Sequence, residues 1–180
     1  MPATVDQHLT NYRTLVARVD ALCRQIETDF RSQIVCRRGC DACCRHLSLF
    51  RVEGVALAQA LRDMPVPAAA RIRDRARQSP VDGPCPLLEN GVCQLYAARP
   101  IICRTHGLPL LLGEAETRRV DYCPENFRGL DALPASAVID LERLNTTLAA
   151  VDALFVSAVS PDRLPGGERL TIAEALLLEL

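Results

Sequence analysis

Read as apolar and polar positions, the chain falls into five helical stretches around a middle of short extended pieces. Val5, Leu9, Tyr12, Val16, Val19, Leu22, Ile26 and Phe30 recur at three- and four-residue steps, the spacing of one helical stripe. Cys23 lies beside Leu22 on that stripe. The first helix is expected to stop near Val35, where CRRGCDACC begins and Gly39 offers a terminus. Val55, Leu57, Ala58 and Leu61 predict a second helix over Val52 to Met64, broken by Pro65 and Pro67. The arginine-rich AAARIRDRARQ predicts a third over Ala68 to Gln78.

From Ser79 to Phe127 the pattern changes. Leu87-Leu88 and Val92–Leu95 flank Glu89-Asn90-Gly91, a hairpin signature. Leu108–Leu112 and Thr117–Tyr122 flank Gly113-Glu114, a second one. Ser136 to Val159 is helical again, with Ile139, Leu141, Leu144, Leu148, Val151, Leu154 and Phe155 spaced for burial. A last helix begins at Thr171, where Glu174 completes a capping box. These elements predict a single, mainly α domain over 1–180. Helices at 1–35 and 136–180 flank an irregular, cysteine-rich metal-binding centre at 36–128 that contains one or two short β-hairpins. The first helix and the 136–159 helix are expected to pack on each other over that centre.

Composition narrows the function classes. At 49% hydrophobic and 24% charged, the chain is built to fold, which excludes wholesale disorder. A net charge of -1 provides no global field to recruit nucleic acid or an anionic membrane. Arg71, Arg73, Arg75 and Arg77 stand at every second position, with Asp74 among them, so they do not line one helical face; no nucleic-acid partner is expected. There is no run of eighteen apolar residues and no secretory-type apolar core at the N-terminus, and the expectation is a cytoplasmic protein with no membrane partner. No Ser-His-Asp set, paired carboxylates or phosphate loop stands out.

The anomalous figure is nine Cys in 180 residues. In a reducing compartment, such density points to metal or redox chemistry before a disulfide framework, and an odd count leaves a thiol unpaired in any case. Eight cysteines form two groups. Cys36, Cys40, Cys43 and Cys44 are packed into one polar loop; Cys85, Cys93, Cys103 and Cys123 are spread over the extended middle. Thiolates are soft donors, and four arranged tetrahedrally suit zinc or an iron–sulfur cluster. Gly39 gives the first loop the freedom to turn successive sulfurs to one side. The ninth, Cys23, reads as a small buried apolar residue of the first helix.

Four thiolates leave a metal centre net negative, and half-burying that charge is costly unless it is offset. Arg37, Arg38 and Arg45 bracket the first group, and Arg99 and Arg104 bracket Cys103. His46 and His106 are secondary ligand candidates. Vicinal Cys43 and Cys44 are hard to aim at one ion, so they are expected to serve different centres or to leave one thiol free. Cys36-x3-Cys40-x2-Cys43 is also the spacing of radical-SAM enzymes, but too little chain follows Cys44 to build their barrel.

The run CRRGCDACCRHLSLFRVEGVALAQAL, then CPLLENGVCQLYAARPIICRTHG, then YCPENF, resembles the YkgJ-type cysteine-cluster family of zinc- or iron-chelating domains. The likeness covers positions 36 to 128 and includes Leu87-x5-Cys93-x2-Tyr96-x2-Arg99-Pro100-x2-Cys103-Arg104. It implies a metal-binding domain with Cys36, Cys40, Cys43, Cys44, Cys85, Cys93, Cys103 and Cys123 as ligands and an iron–sulfur cluster or zinc as cofactor. Flagellin lysine methylases look related through the same kind of cluster, which implies the alternative of an iron–sulfur-dependent enzyme. They are larger, and no glycine-rich loop for S-adenosylmethionine is present here.

Overall fold

The computed structural model describes residues 5–37, 39–45, 47–80, 83–113, 115–159 and 167–179. It opens with α1 (Val5–His8) and α2 (Thr10–Asp29). The two are one helical stretch tightened at Leu9, whose N–H bonds back to the Asp6 carbonyl while its own carbonyl receives the Arg13 N–H. The buried stripe runs through Leu9, Tyr12, Val19, Cys23 and Ile26. Leu22, expected on it, is 45% exposed. At 100° per residue Cys23 continues the line from Tyr12 and Val19, and Leu22 falls off its edge.

Next come β1 (Ser48–Phe50), α3 (Arg51–Arg62) and α4 (Val66–Gln78). Pro65 caps α4, and Pro67 sits inside its first turn instead of ending the preceding helix. A first-turn proline forfeits only an N–H that has no partner within the helix. The first predicted hairpin is β2 (Leu88–Glu89) against β3 (Val92–Cys93), antiparallel, with left-handed Asn90 and Gly91 at the tip. The second is β4 (Leu110–Leu112) against β5 (Arg119–Asp121).

The chain departs from the sequence expectation in the stretch between the hairpins and at the start of the 136–159 helix. Between the hairpins, a 3₁₀ turn at Tyr96–Ala98 leads into α5 (Ile101–Thr105), where extended chain was expected. Pro100 supplies the start of this short helix. The helix predicted from Ser136 starts later. Its first residues form a 3₁₀ turn at Ala135–Ala137 and β6 (Ile139–Asp140), which runs parallel to β4; α6 then spans Leu141–Ala158. Asp140 accepts the Arg143 N–H at 2.9 Å and so caps α6, and Leu154 is left 59% exposed. β7 (Arg169–Thr171) pairs antiparallel with β1. α7 (Ile172–Leu176) begins at the predicted Thr171–Glu174 capping box.

The fold is mainly α with three small sheets among the described residues. Two apolar cores hold it. One joins α2 and α6, as expected, and adds Val52, Val55, Ile101, Leu108, Leu110 and Phe127. The other gathers Leu57 and Leu61 of α3, Ala69, Ile72 and Ala76 of α4, and Ile172 and Leu176 of α7, with Leu87 and Leu95 from the hairpin region. The helix α3 belongs to both. Leu57, Leu61, Ile72, Ile172 and Leu176 are fully buried, each contributing roughly 1.5–3 kcal/mol relative to exposure.

Two buried carboxylates tie the pieces together. Glu53 of α3 accepts backbone N–H bonds from Phe50 (3.1 Å) and Ile101 (2.9 Å), fixing the start of α5 to α3. Asp152 of α6 accepts the Val52 N–H at 2.8 Å and faces Arg51 at 3.5 Å. Among the described residues no helix is long and apolar enough to cross a membrane.

Candidate metal centre

The segment after α2 carries no apolar repeat at helical or strand spacing, and its described residues are irregular. Two successive turns shape it: the Cys40 N–H bonds to the Arg37 carbonyl, and the Cys44 N–H to the Asp41 carbonyl, both at 2.9 Å. Gly39 has φ +94°, the freedom its place in the loop suggested. Arg45 then makes an antiparallel bridge with Pro84, which carries the end of this loop alongside Cys85. Cys85 opens a turn that returns the Leu88 N–H to its own carbonyl (3.0 Å), and Leu88 pairs with Cys93 across the hairpin.

These segments enclose a cavity of about 280 Å³. Cys36, Cys40, Cys43, Cys44, Cys85, Cys93 and Cys103 all line it, together with Arg37, Arg45, Arg99, Arg104 and His106. Seven of the eight predicted ligands thus share one wall system. Cys40 is exposed and the other clustered cysteines are half-buried. The eighth, Cys123, does not line the cavity but stands behind Gly107. Among the described residues no three His, Cys, Asp or Glu side chains are placed to hold one ion. The cysteine groups border an open cavity beside the helical cores; they do not form the centre around which α2 and α6 pack.

Gly107 and Asn126 organise the Cys123 side. Gly107 has φ +92°, and a Cβ there would stand 3.0 Å from the Cys36 sulfur and 3.6 Å from the Cys123 Cβ. Asn126 is 1% exposed and uses its whole amide. Its Oδ1 accepts the Val35 N–H at 2.9 Å; its Nδ2 donates to the Gly107 carbonyl at 2.7 Å and to the Cys36 sulfur at 3.2 Å. The Phe127 N–H, at a left-handed residue, reaches the Gln33 carbonyl. The YCPENF block is thereby sewn to the chain just before the first cysteine group.

Burial pushes most of the thiols above their ordinary range, because the thiolate loses hydration. Cys44 is pushed up to about 11 by burial and then by the fields of Cys43, Cys85, Cys93 and Asp41. Cys103 is pushed up furthest, by burial and then by Cys85, Glu53, Cys93 and Cys44. Cys36 is raised by burial against the opposing hydrogen bond from Asn126, and Cys43 by burial and the field of Cys40. For Cys85 and Cys93, burial is opposed by backbone N–H donation from Leu87 and Leu95, each two residues downstream of its sulfur. Such donors stabilise a thiolate once it forms. Burial lowers the pKa of His106, which keeps a neutral ring available on the cavity wall.

The arginines divide by role. Arg104 is a structural tie: it grips both Asp20 oxygens at 2.8 Å and donates to the Arg99 and Ala97 carbonyls at 2.6 Å. Arg99 lies over the Tyr96 ring at 3.8 Å and donates to the Cys103 carbonyl at 3.2 Å. Its charge also lowers the Cys93 pKa, so it offsets negative charge in the cavity. Of the arginines of α4, Arg75 is held by the Pro86 carbonyl and Glu89, and Arg77 by Asp74. Cys23 is buried, with its thiol donating to the Arg104 carbonyl at 3.7 Å and its pKa raised to about 11 by burial. Arg38 and His46 lie outside the described residues.

Sequence reading missed Asn126, Gly107 and Glu53. Asn126 and Gly107 stand three and four residues after a cysteine, inside THG and YCPENF, and that proximity was the one available signal. Glu53 stands in the first turn of α3, a common place for an acid and so no signal by itself.

A mainly helical fold with a thiol-lined cavity agrees with what comparison finds. The chain belongs to the CxxCxxCC family, described as "Putative zinc- or iron-chelating domain", which it matches over residues 35–124. That span takes in all eight clustered cysteines together with Gly107. No curated protein and no solved structure matches the chain.

Proposed function

We propose that this protein chelates metal, as zinc or an iron–sulfur cluster, through Cys36, Cys40, Cys43, Cys44, Cys85, Cys93, Cys103 and Cys123, within a cytoplasmic setting. The observation that carries the reading is the common cavity: seven of these thiols, from separate stretches of chain, line it together with Arg37, Arg45, Arg99 and Arg104. The donor set fits the group, since every candidate is soft sulfur and Arg99 offsets the charge that four thiolates leave on a centre. Downstream backbone N–H groups already face Cys85 and Cys93, as a thiolate needs.

Binding would draw in side chains that are not yet close enough to share an ion, so metal uptake would be coupled to closure of the 36–44 loop onto the 85–103 segment and Cys123. Protons must leave as the thiolates form, and the raised thiol pKa values make that release part of the binding equilibrium. The test is an absorption spectrum with iron, sulfide and zinc analysis on anaerobically isolated protein. Brown protein containing iron and sulfide indicates a cluster, and colourless protein loaded with zinc indicates a zinc site. Protein that carries neither metal and takes up neither on reconstitution would end the proposal.

A further inference from the structure

The structure assigns the eight cysteines to two centres: Cys36, Cys40, Cys43 and Cys123 form one set, and Cys44, Cys85, Cys93 and Cys103 the other, with the dividing line at the Cys43–Cys44 peptide. The assignment rests on the metal-chelating reading and adds which thiols act together.

The first set is organised around Gly107. The Cys36 sulfur and the Cys123 Cβ lie 3.0 and 3.6 Å from where a Gly107 Cβ would stand. The Cys123 N–H bonds to the Gly107 carbonyl at 3.3 Å, the Asn126 N–H bonds to the Cys123 carbonyl at 2.9 Å, and the Asn126 amide bridges Gly107 to Cys36. Two consecutive turns, Arg37 to Cys40 and Asp41 to Cys44, keep Cys40 and Cys43 in a compact loop that begins at Cys36.

A different set of contacts organises the second group. The Arg45–Pro84 bridge places Cys44 next to Cys85. The hairpin pairing of Leu88 with Cys93 folds Cys93 back over the Cys85 turn, and both cysteines pack on the α3–α4–α7 core. Arg99 holds the Cys103 carbonyl and so fixes α5 to the chain that follows Cys93.

Cys43 and Cys44, one from each set, are joined by a peptide bond. This vicinal pair stands where the two sets meet.

The test is anaerobic titration of the reduced, metal-free, full-length chain with cobalt(II) alone, read by its thiolate-to-metal charge-transfer bands. Wild type should take up two equivalents, each with a four-thiolate spectrum. The within-set doubles C36S/C123S and C85S/C93S should each retain one such equivalent, and the cross-set double C36S/C85S should retain none. The assignment is overturned if a within-set double loses both centres, or if the cross-set double keeps one intact. Wild type that binds no cobalt would instead sink the metal-chelating reading itself. A second measurement needs no variant: wild type loaded with one equivalent is treated with N-ethylmaleimide and its labelled sites are mapped molecule by molecule. Protection should come in complete sets. Molecules with Cys36 and Cys85 protected while Cys123 and Cys93 are labelled would refute the assignment.

Discussion

Asn126→Ala should cost the metal-free chain about 3 kcal/mol. The side chain is fully buried, and its amide makes three hydrogen bonds that link residues 35–36, 107 and 126. Truncation leaves the Val35 N–H and the Gly107 carbonyl without partners, at roughly 1–3 kcal/mol for each unsatisfied group. The Cys36 sulfur is a weaker acceptor and adds less. With a urea m value of roughly 2 kcal/mol/M, the midpoint should fall by about 1.5 M. Asn126→Asp gives a sharper contrast. It retains an acceptor for Val35 but replaces both donations with a carboxylate beside the Gly107 oxygen and the Cys36 thiol. Burial and that new charge both disfavour the Cys36 thiolate, so this variant should lose metal more readily than wild type as well as stability. Urea denaturation of the reduced chain and chelator competition on the loaded chain read the two effects separately. A midpoint for Asn126→Ala within about 0.3 M of wild type would refute the account of this residue as the knot behind the cysteine loop.

Three further outcomes follow from the geometry. Gly107→Ala puts a Cβ 3.0 Å from the Cys36 sulfur at φ +92°, and should lower stability by about 2 kcal/mol and weaken cobalt binding; neutrality in both assays would contradict the close approach. Asp20→Ala leaves the largely buried Arg104 without its carboxylate and should cost about 2–3 kcal/mol by thermal or urea denaturation, against under 0.5 kcal/mol if the pair is only a surface contact. The thiols of Cys23 and Cys44 titrate near 11 in the folded metal-free chain against 9.0 for an unperturbed thiol. A raised folded pKa contributes stability that is complete below the unfolded value and disappears through the folded one, so the metal-free protein should lose stability as pH rises from 9 to about 11. Stability that is flat across that window, or rises, would show that burial does not govern these thiols.

Periodicity and spacing made a large part of this protein legible in advance. The first helix, α3, α4, both hairpins and the Thr171–Glu174 cap came from local rules: a stripe at helical steps, a proline past the end of α3, Asn-Gly between short strands, a capping residue with its acid. The eight cysteines and the family they mark were visible for a similar reason, since thiols have no packing motive to recur at those intervals in a polar loop. What local pattern could not give was partnership. The pairings β1–β7 and β4–β6 join residues far apart in sequence, and their two- and three-residue strands have no periodicity to detect. The helix expected from Ser136 lost its first residues to β6 because a neighbouring strand offered hydrogen bonds, a competition settled only in three dimensions. Asn126 is an unremarkable polar residue until the fold buries it between Val35, Gly107 and Cys36. Likewise, composition names sulfur as the chemistry, but which sulfur faces which depends on a bridge at Arg45, a hairpin turn and a glycine that leaves room. Sequence determines the donors because they are covalent facts of the chain; tertiary structure decides their grouping because long-range hydrogen bonds and buried surface set the distances between them.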